Sequence, residues 1–193
     1  MPEDVSAPAR EDRSISMARA NLYGLALIAP LLLLAVPFGL IWGGGALQEG
    51  LLAFAAPWSF VPVLLLGVVA HEALHAAAWV WLGGKPWSAI RFGFQLKTLT
   101  PYAHCTEPIE ARAYRAGAAA PGVVLGLLPL VVATAVGNGW LLWFGLFFTL
   151  AAVGDLVILW TLRGVEAGRL IVDHPTRAGC YVLAPGAPEA GEG

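Results

Sequence analysis

An H-E-x-x-H pentapeptide, His71-Glu72-Ala73-Leu74-His75, lies inside an apolar run that extends from residue 58 to residue 82. This run is long enough to cross a bilayer as one helix. Outside the pentapeptide it contains no charged residue. Each ionisable side chain near the middle of a membrane helix costs roughly 2.5–3.5 kcal/mol on insertion scales. We therefore expect these three ionisable groups to have a function.

The spacing inside the pentapeptide fits a metal site. Positions i and i+4 of an α-helix share a face, so both imidazoles can reach one ion while Glu72 lies beside them. Chance matches to the motif occur, and a histidine on an apolar face is usually a hydrogen-bonded core residue. However, two of the four histidines in the chain fall here. This favours His71 and His75 as metal ligands and Glu72 as the general base.

Composition predicts a membrane protein. The 193 residues are 58% hydrophobic and 12% charged, whereas soluble domains are about 25% charged. Four apolar runs, at about 22–43, 58–82, 117–136 and 140–162, are each long enough to span a bilayer. We therefore predict an all-α integral membrane protein with about four transmembrane helices. The net charge is −2 and no basic patch carries interleaved aromatic residues, so no nucleic acid partner is expected.

The basic residues predict the orientation of these spans. All eleven lysines and arginines precede the first span, follow the fourth, or lie in the segment 83–116. The connections 44–57 and 137–139 contain none. The positive-inside rule therefore places both termini and the 83–116 segment in the cytoplasm. We expect the membrane to be the plasma membrane of a prokaryote.

The spans divide the chain into three parts. A polar, flexible tail at 1–21 precedes a four-span domain at 22–162, and a second cytoplasmic tail occupies 163–193. The last tail is rich in Pro, Gly and Ala from about 184 onwards, which predicts disorder there. The stretch 44–57 is apolar but interrupted by glycines, which predicts a short interfacial or re-entrant piece.

The cytoplasmic segment after the second span contains a predicted β-hairpin. Partial alternation of apolar and polar residues indicates strands at about 87–95 and 101–106, and residues 97–100 are a candidate turn. Cys105 in this hairpin and Cys180 in the tail both lie on the reducing side, so no disulfide is expected. We interpret both as small apolar side chains.

A single carboxylate, Asp155, lies in the fourth apolar run. Asp155 is seven residues before Leu162, and His75 is seven residues before Leu82. Both therefore lie ~10 Å inside the cytoplasmic end of their helices. Equal depth allows Asp155 to complete a His-His-Asp site; the alternative is a carboxylate that snorkels to the interface or pairs with an arginine such as Arg163. Two imidazoles, one carboxylate and an open position for water are typical of catalytic zinc, so Zn²⁺ is the expected cofactor.

Four motifs in order resemble a small family of integral membrane proteins, the putative zincin peptidases. They are H-E-x-x-H at 71–75, A-H-C-T-E-P at 103–108, Gly154-Asp155 and Asp173-His174-Pro175, and the resemblance covers roughly 60–185. The pattern is also related to the site-2-protease-like intramembrane zinc metalloproteases. It departs from them because Leu156, and not glycine, follows Asp155.

The resemblance implies an intramembrane or juxtamembrane zinc metallopeptidase that hydrolyses membrane-associated proteins or peptides by zinc-activated water. Its ligands would be His71, His75 and Asp155, and its base would be Glu72. The bilayer is the other expected partner. A non-catalytic membrane module that binds metal or a protein partner is the alternative function. Glu72 favours the enzyme, because a metal carrier needs no base beside its ligands.

The resemblance leaves two residues of the A-H-C-T-E-P stretch without a settled role. His104 and Glu107 could contact the substrate or the oxyanion, and His104 could replace Asp155 as the third ligand. Packing within the hairpin is the alternative for both. Asp173-His174-Pro175 is interpreted as a structural turn, since Asp or His can start a turn that Pro then fixes.

Overall fold

The computed structural model describes residues 10–96, 100–174 and 177–184. As predicted, the chain is mostly helical. The α-helices in this part of the chain are α1 Met17–Leu32, α2 Val36–Ala55, α3 Pro57–Gly83, α4 Ala111–Pro121, α5 Leu128–Val136, α6 Gly139–Ala151 and α7 Val153–Thr161. The strands are β1 Arg10–Ile15, β2 Ile90–Gln95, β3 Thr100–Cys105, β4 Ile109–Glu110, β5 Leu170–Asp173 and β6 Ala178–Leu183.

Several helices are suited to a bilayer. Three stretches are long and apolar enough to cross one, namely Leu22–Ala55, Pro57–Gly83 and Ala111–Val136. The pair α6 and α7 gives a fourth if it is taken as one span bent by 44°. Large apolar side chains such as Leu40 and Trp58 remain 82% exposed on these helices. Exposed apolar surface of this extent is typical of a membrane-facing surface.

The helical spans are interrupted at a glycine and at a proline, which change the backbone hydrogen bonding. Gly43 has a φ of +83°, which bends α2 there, but the helix resumes and ends at Ala55. The predicted separate piece at 44–57 is therefore helical almost throughout. Pro121 ends α4, and a π-helical segment at Gly122–Leu127 connects it to α5. Proline lacks the N–H that would continue the α-helical ladder, which explains the altered hydrogen bonding.

The hairpin after the second span is present. Strands β2 and β3 pair antiparallel, with Ile90 opposite Cys105 and Gln95 opposite Thr100. These bounds lie close to the predicted 87–95 and 101–106. Most of the predicted turn, residues 97–99, lies outside the described residues.

The all-α prediction is wrong in one respect, because a second antiparallel sheet joins the ends of the chain. Its strand order is β1-β6-β5-β4. Arg10 lies opposite Leu183, and Ile171 lies opposite both Val182 and Ile109. Thus residues 10–15, predicted as flexible, and much of the predicted C-terminal tail are ordered strands. The predicted disorder from about 184 falls almost entirely outside the described residues.

A core cluster joins this sheet to the helices. Buried side chains from α3, α4, the end of α7, β5 and β6 pack together, including Trp79, Tyr114, Leu162, Ile171 and Cys180. Both cysteines are buried and free. Burial raises the pKa of the Cys180 thiol to about 12, and its place in the core is compatible with the interpretation as a small apolar side chain.

The close approach of α2 and α6 predicts a strong effect of one methyl group. A Cβ at Gly50 would lie 2.3 Å from the carbonyl carbon of Gly139 and 2.5 Å from its Cα. Since this neighbour is backbone, Gly50→Ala must separate the helices and should lower the free energy of unfolding by about 1–3 kcal/mol. Thermal unfolding in detergent micelles is the measurement.

The matched control is Gly45→Ala on the same helix, where a Cβ meets nothing within 4 Å. This variant should keep the wild-type melting temperature or exceed it slightly, because alanine favours helix over glycine. Equal melting temperatures for the two variants would contradict the described packing of α2 on α6.

Candidate metal centre

Two helices bring the predicted ligands together. His71 and His75 lie one turn apart on α3, and their ring centroids are 4.9 Å apart. Asp155 lies in the first turn of α7. The bend between α6 and α7 occurs just before it, at Ala152, and so the direction of α7 at Asp155 differs from that of α6.

The ligand atoms converge closely. Asp155 Oδ2 lies 3.2 Å from His71 Nε2, and Asp155 Oδ1 lies 3.4 Å from His75 Nε2. One donor atom from each of the three residues can be chosen so that all lie within 4.8 Å of one another. A tetrahedral zinc with bonds of about 2.0–2.1 Å separates its ligand atoms by about 3.3 Å. The donor set and its spacing therefore fit zinc.

The orientation of His75 is fixed by residues behind it. Its Nδ1 lies 2.9 Å from the carbonyl oxygen of Gly117 in α4. Because a carbonyl only accepts, Nδ1 carries a proton, and Nε2 at the other edge of the ring faces Asp155. The ring stacks on Trp79 at 5.6 Å. Gly117 makes room for this arrangement, since a Cβ there would lie 2.0 Å from Trp79 Nε1.

Glu72 lies beside the ligands and contacts the hairpin. It follows His71 directly in α3, and its carboxylate lies near the backbone of Ala103 in β3. The three candidate ligands and Glu72 line one cavity of about 1340 Å³. Apolar residues of α1 and polar residues of β3 line the same cavity. The base and the ligands thus share a space large enough for part of a polypeptide.

The structure separates the two residues whose roles the sequence left open. His104 lines the cavity, but it does not belong to the ligand group; its Nδ1 lies 3.3 Å from Asp173 Oδ2. Glu107 is not among the residues that line the cavity, and its carboxylate lies 3.6 Å from Lys85 Nζ. The suggested pairing of Asp155 with Arg163 is not observed, because Arg163 stacks on the ring of Trp160.

Asp173 lines the cavity, whereas the sequence pattern predicted only a turn at this position. Its carboxylate accepts hydrogen bonds from Tyr114 Oη at 2.5 Å and from the backbone N–H of Cys105 at 2.9 Å. Burial raises the pKa of Asp173, while these hydrogen bonds and His104 act in the opposite direction. Hydrogen-bond donors thus face both oxygens of the carboxylate. The motif D-H-P was visible in the sequence, but its burial was not.

Comparison with known proteins gives one match. The family described as "Putative zincin peptidase" matches residues 64–170. This range contains the H-E-x-x-H pentapeptide, the A-H-C-T-E-P stretch and Asp155, and it stops before Asp173. No curated protein and no solved structure matches the chain.

The convergence of the ligands predicts stoichiometric zinc. Protein purified in detergent should contain about one zinc per chain by elemental analysis, and the double variant His71→Ala/His75→Ala should contain none. Asp155→Ala should lose part of the metal, because two imidazoles remain. His104→Ala is the matched control and should retain zinc. Equal zinc in the double variant and the wild type would refute the metal site, and loss in His104→Ala would make His104 a ligand.

Proposed function

The chain belongs to the putative zincin peptidase family, and from that premise we propose that it is an intramembrane or juxtamembrane zinc metallopeptidase. Its substrates would be membrane-associated proteins or peptides. The observation that carries this proposal is the convergence of His71, His75 and Asp155, with donor atoms within 4.8 Å, next to Glu72. A zinc carrier needs the three ligands, but only a hydrolase uses the general base Glu72.

The donor set suits metal-assisted hydrolysis. Zinc bound at these residues would supply Lewis acidity and a water that ionises near neutral pH. Glu72 is placed to accept the proton of the attacking water and to pass it to the leaving amine. Glu72 and Ala103 both line the cavity, so the carboxylate lies beside strand β3 at the cavity wall. Peptide hydrolysis needs no other proton acceptor at this position.

The lining of the cavity supports a substrate that leaves the bilayer. Leu25 and Ile28 of α1 and Leu64 of α3 contribute apolar surface, whereas β3 contributes backbone and polar side chains. A polypeptide that emerges from lipid would place its apolar part against the helices and its extended part beside the strand. We therefore propose cleavage near a membrane–water interface.

The sheet of terminal strands supports the proposed topology. Strand β1 near the N-terminus pairs with β6 near the C-terminus, and β4 from the 83–116 segment belongs to the same sheet. Strands of one sheet must lie on one side of a membrane. This agrees with the positions of the lysines and arginines, so we propose that both termini and the 83–116 segment are cytoplasmic.

Glu72→Gln should separate catalysis from metal binding. Glutamine keeps the size and hydrogen-bonding shape of the side chain but cannot accept the proton. We expect normal folding and about one zinc per chain, and a roughly 10²–10⁴-fold loss of cleavage, which is the usual contribution of a general base. The substrates are single-span peptides and fluorescein-labelled casein in the same detergent as the wild type.

The outcomes distinguish the two candidate functions. Undiminished cleavage in Glu72→Gln would refute the metallopeptidase mechanism and favour a non-catalytic membrane module. Loss of zinc in this variant would make Glu72 a ligand. Glu49→Gln is a matched control, because Glu49 is an exposed glutamate on α2 outside the cavity, and it should leave cleavage unchanged.

The topology is tested by reporter fusions at three glycines. A fusion at Gly84 or at Gly193 should give a cytoplasmic signal, and a fusion at Gly139 should give an extracytoplasmic signal. An extracytoplasmic signal at Gly84 would overturn the proposed orientation. Signals on opposite sides for Gly84 and Gly193 would also contradict the sheet that joins the terminal strands to β4.

A further inference from the structure

A second histidine–carboxylate pair borders the cavity of the metal centre. His104 on β3 and Asp173 at the end of β5 face each other, with 3.3 Å between His104 Nδ1 and Asp173 Oδ2. Both residues line the cavity together with Glu72. Neither belongs to the group of candidate ligands. The pair thus lies outside that group, on the wall of the cavity where the proposed substrate would bind.

The position of Asp173 is determined by contacts with two other elements, α4 and β3. The Tyr114 hydroxyl from α4 donates to Oδ1, and the Cys105 N–H from β3 donates to Oδ2, next to His104. The side chain is only 10% exposed. Tyr114 in turn stacks on Trp79 at 5.8 Å, and Trp79 stacks on His75. A buried carboxylate with donors on both oxygens has little freedom to move.

Strand β3 places His104 between the general base and this carboxylate. The backbone of Ala103 lies near the carboxylate of Glu72, and the N–H of Cys105 donates to Asp173. Alternate residues of a strand direct their N–H groups to the same edge, so both carboxylates lie beside one edge of β3. His104 lies between the two. Adjacent strand residues are only about 3.3 Å apart along the chain, so its backbone is next to the base.

We propose that Asp173 is a positioning residue that orients His104 as the hydrogen-bond donor to the carbonyl oxygen of the scissile peptide. The inference rests on the proposed peptidase function. Nδ1 of His104 lies 3.3 Å from Asp173 Oδ2, so Nε2 at the other edge of the ring is left for the cavity. A proton on Nε2 stabilises the negative charge that develops on the carbonyl oxygen as water adds.

The orienting contact is tested without any substrate. Protein labelled with ¹⁵N-histidine contains only four imidazoles, and His104→Gln identifies the signals of His104. We expect the wild-type Nδ1–H of His104 to exchange slowly with solvent and Asp173→Asn to abolish this protection. Asp12→Asn is the matched control, because it makes the same change at an exposed carboxylate in β1 of the same sheet. Unchanged His104 signals in Asp173→Asn would overturn the proposal.

The role in catalysis is tested by a double-mutant cycle on fluorescein-labelled casein. Asp173→Asn and His104→Gln should each lower kcat by about 10–100-fold. Removing an oxyanion donor typically lowers kcat by about 10²–10³-fold, so the expected loss does not exceed that range. KM and zinc content should stay near wild type. The double variant should be no slower than His104→Gln alone, because Asp173 acts through His104. If the two losses multiply, Asp173 has a purely structural role and the proposal fails.

A second variant covers the case in which Asp173→Asn does not fold. Tyr114→Phe removes one donor to Asp173 but keeps the ring that stacks on Trp79, and it should weaken the protection of His104 Nδ1–H. Full protection in this variant would count against the proposal. The proposed peptidase function fails separately, if Glu72→Gln cleaves casein as fast as the wild type. In that case the histidine spectra still decide whether Asp173 orients His104.

Discussion

The contact of two imidazoles on α3 with one carboxylate on α7 is the constraint on which the rest of the structure depends. His71, His75 and Asp155 are all less than 20% exposed, and an unpaired ionisable group in such surroundings costs several kcal/mol. Neither α3 nor α7 contains a partner for its own ionisable side chains in the site. The two helices must therefore lie with these side chains at the same depth and facing each other. The Gly117 carbonyl on α4 completes this arrangement by fixing His75.

Much of this centre could be predicted because its signals are local. The i and i+4 spacing defines a helix face, and equal distances from two helix ends indicate that Asp155 and His75 lie at one depth. The hairpin was also predictable from the alternation of apolar and polar residues. The four-stranded sheet was not, since β1 reads Arg-Glu-Asp-Arg-Ser-Ile and pairs with residues near the other end of the chain. Tertiary context decides such strands.

The same reason explains why the sequence could not assign His104, Glu107 and Asp173. His104 and Glu107 lie three positions apart in the stretch 103–108, and composition alone does not say which side chain meets the cavity. Which side chain reaches the cavity depends on how β5 and β6 pair and pack. Their register places Asp173 opposite Cys180, and packing against β3 brings its carboxylate to the Cys105 N–H. A motif interpreted as a turn therefore contributes a buried charge.

The terminal segments consequently support the site, although they lie outside the apolar runs. Arg13 of β1 donates from Nη1 to the carbonyl oxygen of Thr161, at the end of the helix that carries Asp155. Strand β5, adjacent to β6, carries Asp173 at the cavity wall. Removing the pairing of β1 with β6 would remove the support of Arg13 for the end of α7 and would expose one edge of β6. The sheet thus links the terminal strands to two carboxylates of the cavity. One is Asp155, on the helix whose end Arg13 contacts, and the other is Asp173 on β5.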